Sequence, residues 1–296
     1  MPFTREQGLG LGLTDWTIRS GYTRVIHGVY VSEGVRITPA VRAAAALLVA
    51  PPGSIVARHS AAALWGGVVP ATSDVHVSVP PGRRVRRDGV DARETTNASA
   101  VRRGDGIVVT SPIQTFLDLG AELDLVELVV LGDSLVRRDH VTPEELLAAA
   151  GGCHGPQAER LRRAAAYVRF SVDSPMETRL RMLLVLCGLP EPVVNHPVRD
   201  ETGRVRYRLD LAYPQWRIAI EYDGRQHAEN TAQWRWDVYR REELESEGWR
   251  LIVVLGSDLY RSPQRILERL VRAAAQHEVS LVMRSDAWRR YFPARD

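Results

Sequence analysis

Residues 204–227 read RVRYRLDLAYPQWRIAIEYDGRQH, and the fold turns on how this stretch is paired. From Arg204 to Tyr213, Arg204, Arg206, Arg208 and Asp210 alternate with Val205, Tyr207, Leu209, Leu211 and Tyr213. From Trp216 to Asp223, Arg217, Ala219, Glu221 and Asp223 alternate with Ile218, Ile220 and Tyr222. A period of two is that of a half-buried strand. Tyr213-Pro214-Gln215 between the runs marks a turn, so the stretch reads as a β-hairpin. With the apolar residues of both strands on one face, the expected register sets Leu209 near Ile220 and Asp210 near Ala219. Glu221 is then the diagonal neighbour of Asp210, with Asp223 just beyond on the same face. Three adjacent carboxylates raise one another's pKa, and a bound Mg²⁺, which takes oxygen ligands, would relieve that conflict. A solvated polar face whose acids pair with Arg204, Arg206 and Arg208 is the alternative.

Outward from the hairpin, the C-terminal third reads as an alternation of helices and strands. Ser174-Pro175-Met176-Glu177 opens a helix that Leu180, Leu183, Leu184 and Cys187 continue and Gly188-Leu189-Pro190 ends. Glu177 heads the stripe that faces the core. Ser174-x-x-Glu177 is also a capping box, and a cap and a metal-site role both remain open for Glu177. Val193 to Arg199 reads as a strand and Asp200-Glu201-Thr202-Gly203 as a turn. After the hairpin come a helix from about Thr231 to Gly248, a strand at Arg250–Leu255 and a helix from Pro263 to about His277. The order is α-β-β-β-α-β-α. Asp237 and Arg241, four apart on one helix, suit an ion pair. Trp234 and Trp236 are candidates for stacking on bases, although Trp234 shares a face with Val238 and suits burial.

At 296 residues the chain should hold two or three domains. Its 45% hydrophobic and 25% charged content is that of a chain able to bury a core. No apolar run approaches the roughly 20 residues that span a bilayer, and the opening MPFTREQGLG has no signal-peptide core. Only Cys153 and Cys187 occur, without ligand-spaced partners, so neither a disulfide framework nor a zinc site is indicated by spacing and the cytoplasm is the expected compartment. The sequence contains no lysine, so all 39 basic residues are arginine. The net charge is +3 and the pI about 9.1. Clusters at Arg83-Arg84, Arg86-Arg87, Arg162-Arg163 and Arg240-Arg241 permit a phosphate-backbone partner without requiring one.

The N-terminal seventy residues read as a small helical unit with a β wing. Thr14-Asp15 caps a short helix to Gly21, Thr23 to Val31 forms a two-stranded wing bent at Gly28, and helices follow at Pro39–Ala50 and His59–Trp65. The runs Arg24-Val25-x-x-Gly28-Val29-Tyr30 and His59-Ser60-Ala61-Ala62-Ala63-Leu64-Trp65-Gly66 resemble the winged-helix domain of the AbiEi-type antitoxin family. That resemblance covers about a quarter of the chain. It implies Arg19, Tyr22 and Arg24 at a DNA-facing surface, with helix in the major groove and wing on the backbone, and a protein partner of toxin–antitoxin type. A winged helix can also serve purely as a protein-docking module. Residues 71–170 read as an α/β scaffold: a strand at Asp74–Val79, a basic stretch at Arg83–Arg87, helices from Ser111-Pro112, about Leu123–Arg138 and Thr142–Ala150, a joint at Gly151–Pro156, and a basic amphipathic helix from Gln157. His76 and His140 lack ligand-spaced neighbours and read as ordinary surface or core histidines.

The C-terminal order, with an acid on the first helix, Asp on the second strand and Glu on the third, resembles the PD-(D/E)xK nuclease superfamily. Residues 173–275 are similar to its DUF559 branch, relatives of the very-short-patch mismatch repair endonuclease. The residues concerned are Ser174-Pro175-x-Glu177, Leu209-Asp210-Leu211, Ile220-Glu221-Tyr222-Asp223-Gly224 with His227, Asp237 with Arg241, and Gly248-Trp249-Arg250. The resemblance implies a restriction-endonuclease-like α-β-β-β-α-β core over 171–278, followed by a tail at 279–296. It implies Asp210 and Glu221 as ligands of Mg²⁺ (or Mn²⁺), with Glu177 orienting a water or a second metal. The motif lysine is replaced by Asp223. His227 then becomes the candidate general acid or base, with Asp223 orienting it or binding metal, and Arg204, Arg206, Arg208 and Arg225 are candidate DNA contacts. The overall expectation is an α+β protein: a winged helix over 1–70, a scaffold over 71–170, and a DNA endonuclease-like domain. A DNA-binding regulator whose nuclease fold is silent is the alternative.

Overall fold

The computed structural model describes residues 1–95, 99–224 and 231–293, without the side chains of 231–235. The chain divides into two compact units, Met1–Val168 and Arg169–Asp296.

The first unit begins with strand β1 (Phe3–Thr4), helices α1 (Arg5–Gly10) and α2 (Asp15–Gly21), and strands β2 (Tyr22–Ile26) and β3 (Val29–Ser32). Thr4 and Thr14 cap the two helices through their hydroxyls. The three strands form a sheet in the order β1-β3-β2. Gly28 makes the bend with φ +76°, a conformation that favours glycine. Helix α3 (Pro39–Val49), strand β4 (Ile55–Val56) and helix α4 (Arg58–Leu64) follow, then strands β5 (Val75–Val79), β6 (Val90–Glu94), β7 (Ala100–Arg102) and β8 (Val108–Thr110). Helices α5 (Pro112–Asp118), α6 (Leu125–Arg137), α7 (Pro143–Gly151) and α8 (Ala158–Tyr167) complete the unit.

The larger sheet runs β6-β5-β4-β8-β7. The expected division at residues 70/71 falls inside it, because its central strand comes from Ile55–Val56 and its other strands from beyond residue 70. One buried cluster joins Ile26, Val29, Ala45 and Ala46 to Val75, Val77, Val79 and Val90. The joint expected at Gly151–Pro156 links α7 to α8, whose buried Leu161, Ala164 and Ala165 belong to this unit's core.

The second unit contains helix α9 (Pro175–Leu186), strands β9 (Val193–Arg199), β10 (Val205–Tyr213) and β11 (Ile218–Asp223), helix α10 (Thr231–Ser246), strand β12 (Arg250–Leu255), and helices α11 (Gly256–Arg261) and α12 (Pro263–Gln276). Its sheet is ordered β12-β11-β10-β9, antiparallel except for the parallel β11/β12 pair. The chain is thus α+β, with a C-terminal α-β-β-β-α-β order. The hairpin register differs from the sequence expectation by two residues: Leu211 pairs with Ile220, Ala212 with Ala219 and Tyr213 with Ile218. The connection is longer than expected: Pro214–Trp216 forms a 3₁₀ turn and Arg217, left-handed with φ 50°, completes the link between Tyr213 and Ile218.

Candidate functional site

The register correction changes the geometry of the acids. The next residues outward along the two strands are Asp210 and Glu221, so they stand across from each other rather than diagonally. The backbone ladder is replaced there by a side-chain bond: the Tyr222 N–H donates to Asp210 Oδ2 at 2.9 Å. Burial pushes the Asp210 carboxyl up to about 7, and the negative charges of Glu177 and Glu221 add to the shift, while the Tyr222 bond and Arg240 oppose it. An ordinary aspartate has its pKa near 3.9, so this carboxyl holds a proton at a pH where its exposed counterpart would not.

Glu177 reaches the same group from the first turn of α9 and is only 7% exposed. Ser174 Oγ accepts the Glu177 N–H at 3.2 Å, the cap bond the sequence suggests. The return bond differs from a capping box, because Glu177 Oε2 accepts from the Asp173 N–H at 3.0 Å. Burial raises the Glu177 pKa, against the lowering effect of the Ser174 and Asp173 bonds. Asp223 ends β11, half-buried, and lines the same cleft as Asp210 and Glu221.

Glu221 is held by a residue that the hairpin pattern could not reveal. Arg240, just past the middle of α10, binds both its carboxylate oxygens: Nη1 donates to Oε2 at 2.8 Å and Nη2 to Oε1. Both side chains are 15% exposed. Arg240 Nη2 also donates to the Arg208 carbonyl at 3.1 Å, and its guanidinium lies 5.5 Å from the Tyr207 ring centroid. In the sequence Arg240 stands out only as part of a basic pair. Its nineteen-residue separation from Glu221 carries no local signal, and only the packing of α10 over the sheet brings them together.

The cleft has a volume of about 710 Å³ and is lined on one side by Asp210, Glu221 and Asp223, on the other by Trp236, Asp237, Arg240 and Arg241. Trp236 is 55% exposed and packs edge-on against Tyr207, with ring centroids 5.9 Å apart. Of the arginines singled out in the sequence, Arg206 pairs with Glu243 at 2.7 Å and Glu247 at 2.8 Å. Arg204 and Arg208 are exposed, and Arg208 lines the cleft. Arg225 and His227 lie outside the described residues, as does the Trp234 side chain. In the first unit Arg19 and Arg24 are exposed. Tyr22 is half-buried, its ring edge-on to Phe3 with centroids 5.0 Å apart.

The restriction-endonuclease-like family model REase_MTES_1575 matches residues 194–274, the segment from β9 into α12 that carries Asp210, Glu221, Asp223 and Arg240. Over a longer span the chain is 27% identical across 255 residues to the uncharacterized protein Rv2248 of Mycobacterium tuberculosis (strain ATCC 25618 / H37Rv), covering 85% of this chain and 92% of that one. The same figures hold for the uncharacterized protein MT2308 of Mycobacterium tuberculosis (strain CDC 1551 / Oshkosh). Among solved structures, the RV2827C protein from Mycobacterium tuberculosis is similar at 15% identity with a TM-score of 0.38, covering 68% of this chain and 84% of that chain. The C-terminal region is therefore restriction-endonuclease-like. Among the described residues no helix is long and apolar enough to cross a membrane.

Proposed function

We propose that the protein is a DNA-acting nuclease whose C-terminal unit hydrolyses phosphodiester bonds with Mg²⁺ or Mn²⁺, directed to DNA by an N-terminal winged helix. The observation that carries this reading is the convergence of Glu177, Asp210 and Glu221 at one end of the hairpin, with the Asp210 carboxyl pushed up to about 7 by burial and its acidic neighbours. Buried carboxylates crowded together suit a hard divalent cation, which prefers oxygen donors. Asp210 and Glu221 would hold the ion, and Glu177 would orient a water beside it. When bound, such an ion polarises a phosphate and lowers the pKa of an attacking water. His227 is the proposed group that moves the proton, with Asp223 orienting it. Arg208 and Arg225 border this region in sequence and are the proposed backbone contacts there, while Arg19, Tyr22 and Arg24 are those of the winged helix.

A second reading has its own support. Glu221 is already satisfied by both guanidinium nitrogens of Arg240, and the chain has no lysine. On that reading the protein is an antitoxin-like regulator that binds DNA and does not cut it. Incubation of supercoiled plasmid with the full chain, with Mg²⁺ or Mn²⁺ and with chelator, separates the two. The nuclease reading expects metal-dependent nicking that Glu221→Gln removes. Metal-dependent cutting that survives this substitution would overturn the site assignment, and sequence-selective, metal-independent binding without cutting would favour the regulator.

A further inference from the structure

The first unit carries a second constellation, remote in sequence from the hairpin and built on the His59-Ser60-Ala61 run and on His76. His59 stands in the first turn of α4, His76 within β5, and Glu122 just after the 3₁₀ turn that follows α5. The sequence offered no ligand-spaced partner for His76, because its neighbours arrive from other elements. Each of the three residues presents one ligand atom, and these atoms lie within 4.8 Å of one another. The two imidazole rings face each other with centroids 5.0 Å apart, tilted by 31°. The side chains are nearly enclosed: His59 is 10% exposed, His76 7% and Glu122 18%.

The hydrogen bonds around this group leave a gap where a ligand would sit. His59 Nδ1, His76 Nδ1 and Arg58 Nε are buried without a hydrogen-bond partner, although buried polar atoms are nearly always satisfied. Glu122 divides its oxygens between two tasks. Oε1 accepts from Arg93 Nη1 at 2.7 Å and from Arg58 Nη1 at 3.3 Å. Oε2 is left facing His59 Nδ1 at 3.4 Å. The other ring nitrogen of His76, Nε2, lies 3.7 Å from Asp91 Oδ2, which itself accepts from Arg58 Nη1 at 2.9 Å. A ligand carboxylate anchored by outer arginines is how such a ligand is held in place. The two histidine-bearing elements are also tied together, since the His76 backbone N–H donates to Ser60 Oγ at 2.9 Å. Arg58, immediately before His59, holds a left-handed φ of 50°, a strain that the surrounding structure must impose. His59 also lines a cavity of about 420 Å³ with Arg42, Ser60 and Val75.

We propose that His59, His76 and Glu122 form a binding site for a transition-metal ion of the zinc class, with three protein ligands. Two imidazoles and one carboxylate are a donor set for zinc, and they exclude a magnesium-type site, which would be all oxygen. Burial lowers the pKa of both imidazoles, to about 4 for His76, so both are in the neutral form that ligates. The site is independent of the proposed nuclease centre.

The test uses the full chain with Co²⁺ and Zn²⁺ alone as probes. It is run on the natural sequence and on a chain carrying Asp210→Asn and Glu221→Gln, to silence the C-terminal acids. One equivalent of Co²⁺ is expected in the silenced chain and at least one in the natural chain, with visible d–d absorption of a low-coordinate site, present in both, that Zn²⁺ displaces. His59→Ala and His76→Gln should each weaken binding by more than about 100-fold, beyond the loss typical of an outer-shell partner. His59→Cys keeps a ligand and should add a thiolate charge-transfer band, a gain that misfolding cannot mimic. Absence of stoichiometric binding in the natural chain overturns the proposal. So does binding lost in the Asp210→Asn, Glu221→Gln chain, or a Co²⁺ spectrum that neither His59→Ala nor His76→Gln changes.

Discussion

At the scale of single residues, Asp210 and Arg240 define what the C-terminal cleft can do. The Asp210 carboxyl is raised to about 7 in the folded chain, against about 3.9 in an unfolded one. The folded state therefore binds the proton more tightly, and the contribution of this group to stability is full below about pH 4 and is lost as pH rises through about 7. Asp210→Asn removes that dependence. In chelator at pH 8 it should raise stability by about 1–3 kcal/mol, and near pH 4 it should change little, a difference that urea titrations at the two pH values would measure. Equal effects at both would mean that Asp210 is ionised at no unusual cost. Arg240 behaves in the opposite sense. Removing one partner of a buried pair strands the other, at a cost of about 3–5 kcal/mol, so Arg240→Ala should destabilise the metal-free protein. If Asp210 and Glu221 share an ion, Mn²⁺ should recover stability more in Arg240→Ala than in the natural chain. Identical Mn²⁺-induced Tm shifts in the two would remove Glu221 from the ligand set. Neither residue's environment was legible beforehand: the alternation located Asp210 and Glu221, but the guanidinium opposite them comes from a helix whose orientation no local pattern encodes.

Among the elements, those with a strong period were readable and those without one were not. Val193–Arg199 and Arg250–Leu255 stand where the pattern put them, and Thr14 and Ser111 cap α2 and α5 as their side chains suggest. The central strand Ile55–Val56 is two residues long and has no period to detect, yet it joins the two halves of its sheet. The hairpin register failed for a different reason, because the 3₁₀ turn at Pro214–Trp216 and the left-handed Arg217 make the connection longer than Tyr-Pro-Gln alone indicates. Helix α6 shows how packing overrides propensity. Alanine is favoured over glycine in a helix interior by about 0.8–1 kcal/mol. A Cβ on Gly132, however, would clash with Val168 Cγ2 and come within 3.3 Å of Phe116 Cε2. Overpacking typically costs about 1–3 kcal/mol, so Gly132→Ala should be net destabilising, by about 1–2 kcal/mol. Adding Val168→Ala should recover part of that loss by relieving the contact, and a double-mutant cycle would show the coupling. Strict additivity would place the strain elsewhere.

For the whole molecule, the question is how a chain with a net charge of only +3 would engage the DNA proposed as its substrate. Net charge is a poor guide when the cations are all arginine and many are already committed. Arg58 and Arg93 are paired with Asp91 and Glu122, Arg206 with Glu243 and Glu247, and Arg240 with Glu221. Exposed Arg19, Arg24, Arg83 and Arg84 are the better candidates for phosphates. Each phosphate neutralised releases condensed counterions, so the affinity for duplex DNA should fall linearly on a log–log plot against salt, with a slope of about −0.9 per contact. If Arg24 is such a contact, Arg24→Ala should weaken binding to all sequences alike and reduce the slope by about 1. The substitution removes an exposed side chain from β2, so the fold should be retained. Mobility shifts between about 50 and 200 mM salt, on two unrelated duplexes, would measure both effects. A loss confined to one duplex with an unchanged slope would instead make Arg24 a base reader. No change in either would move the DNA-facing surface away from β2, and with it the winged-helix reading of the N-terminal strands.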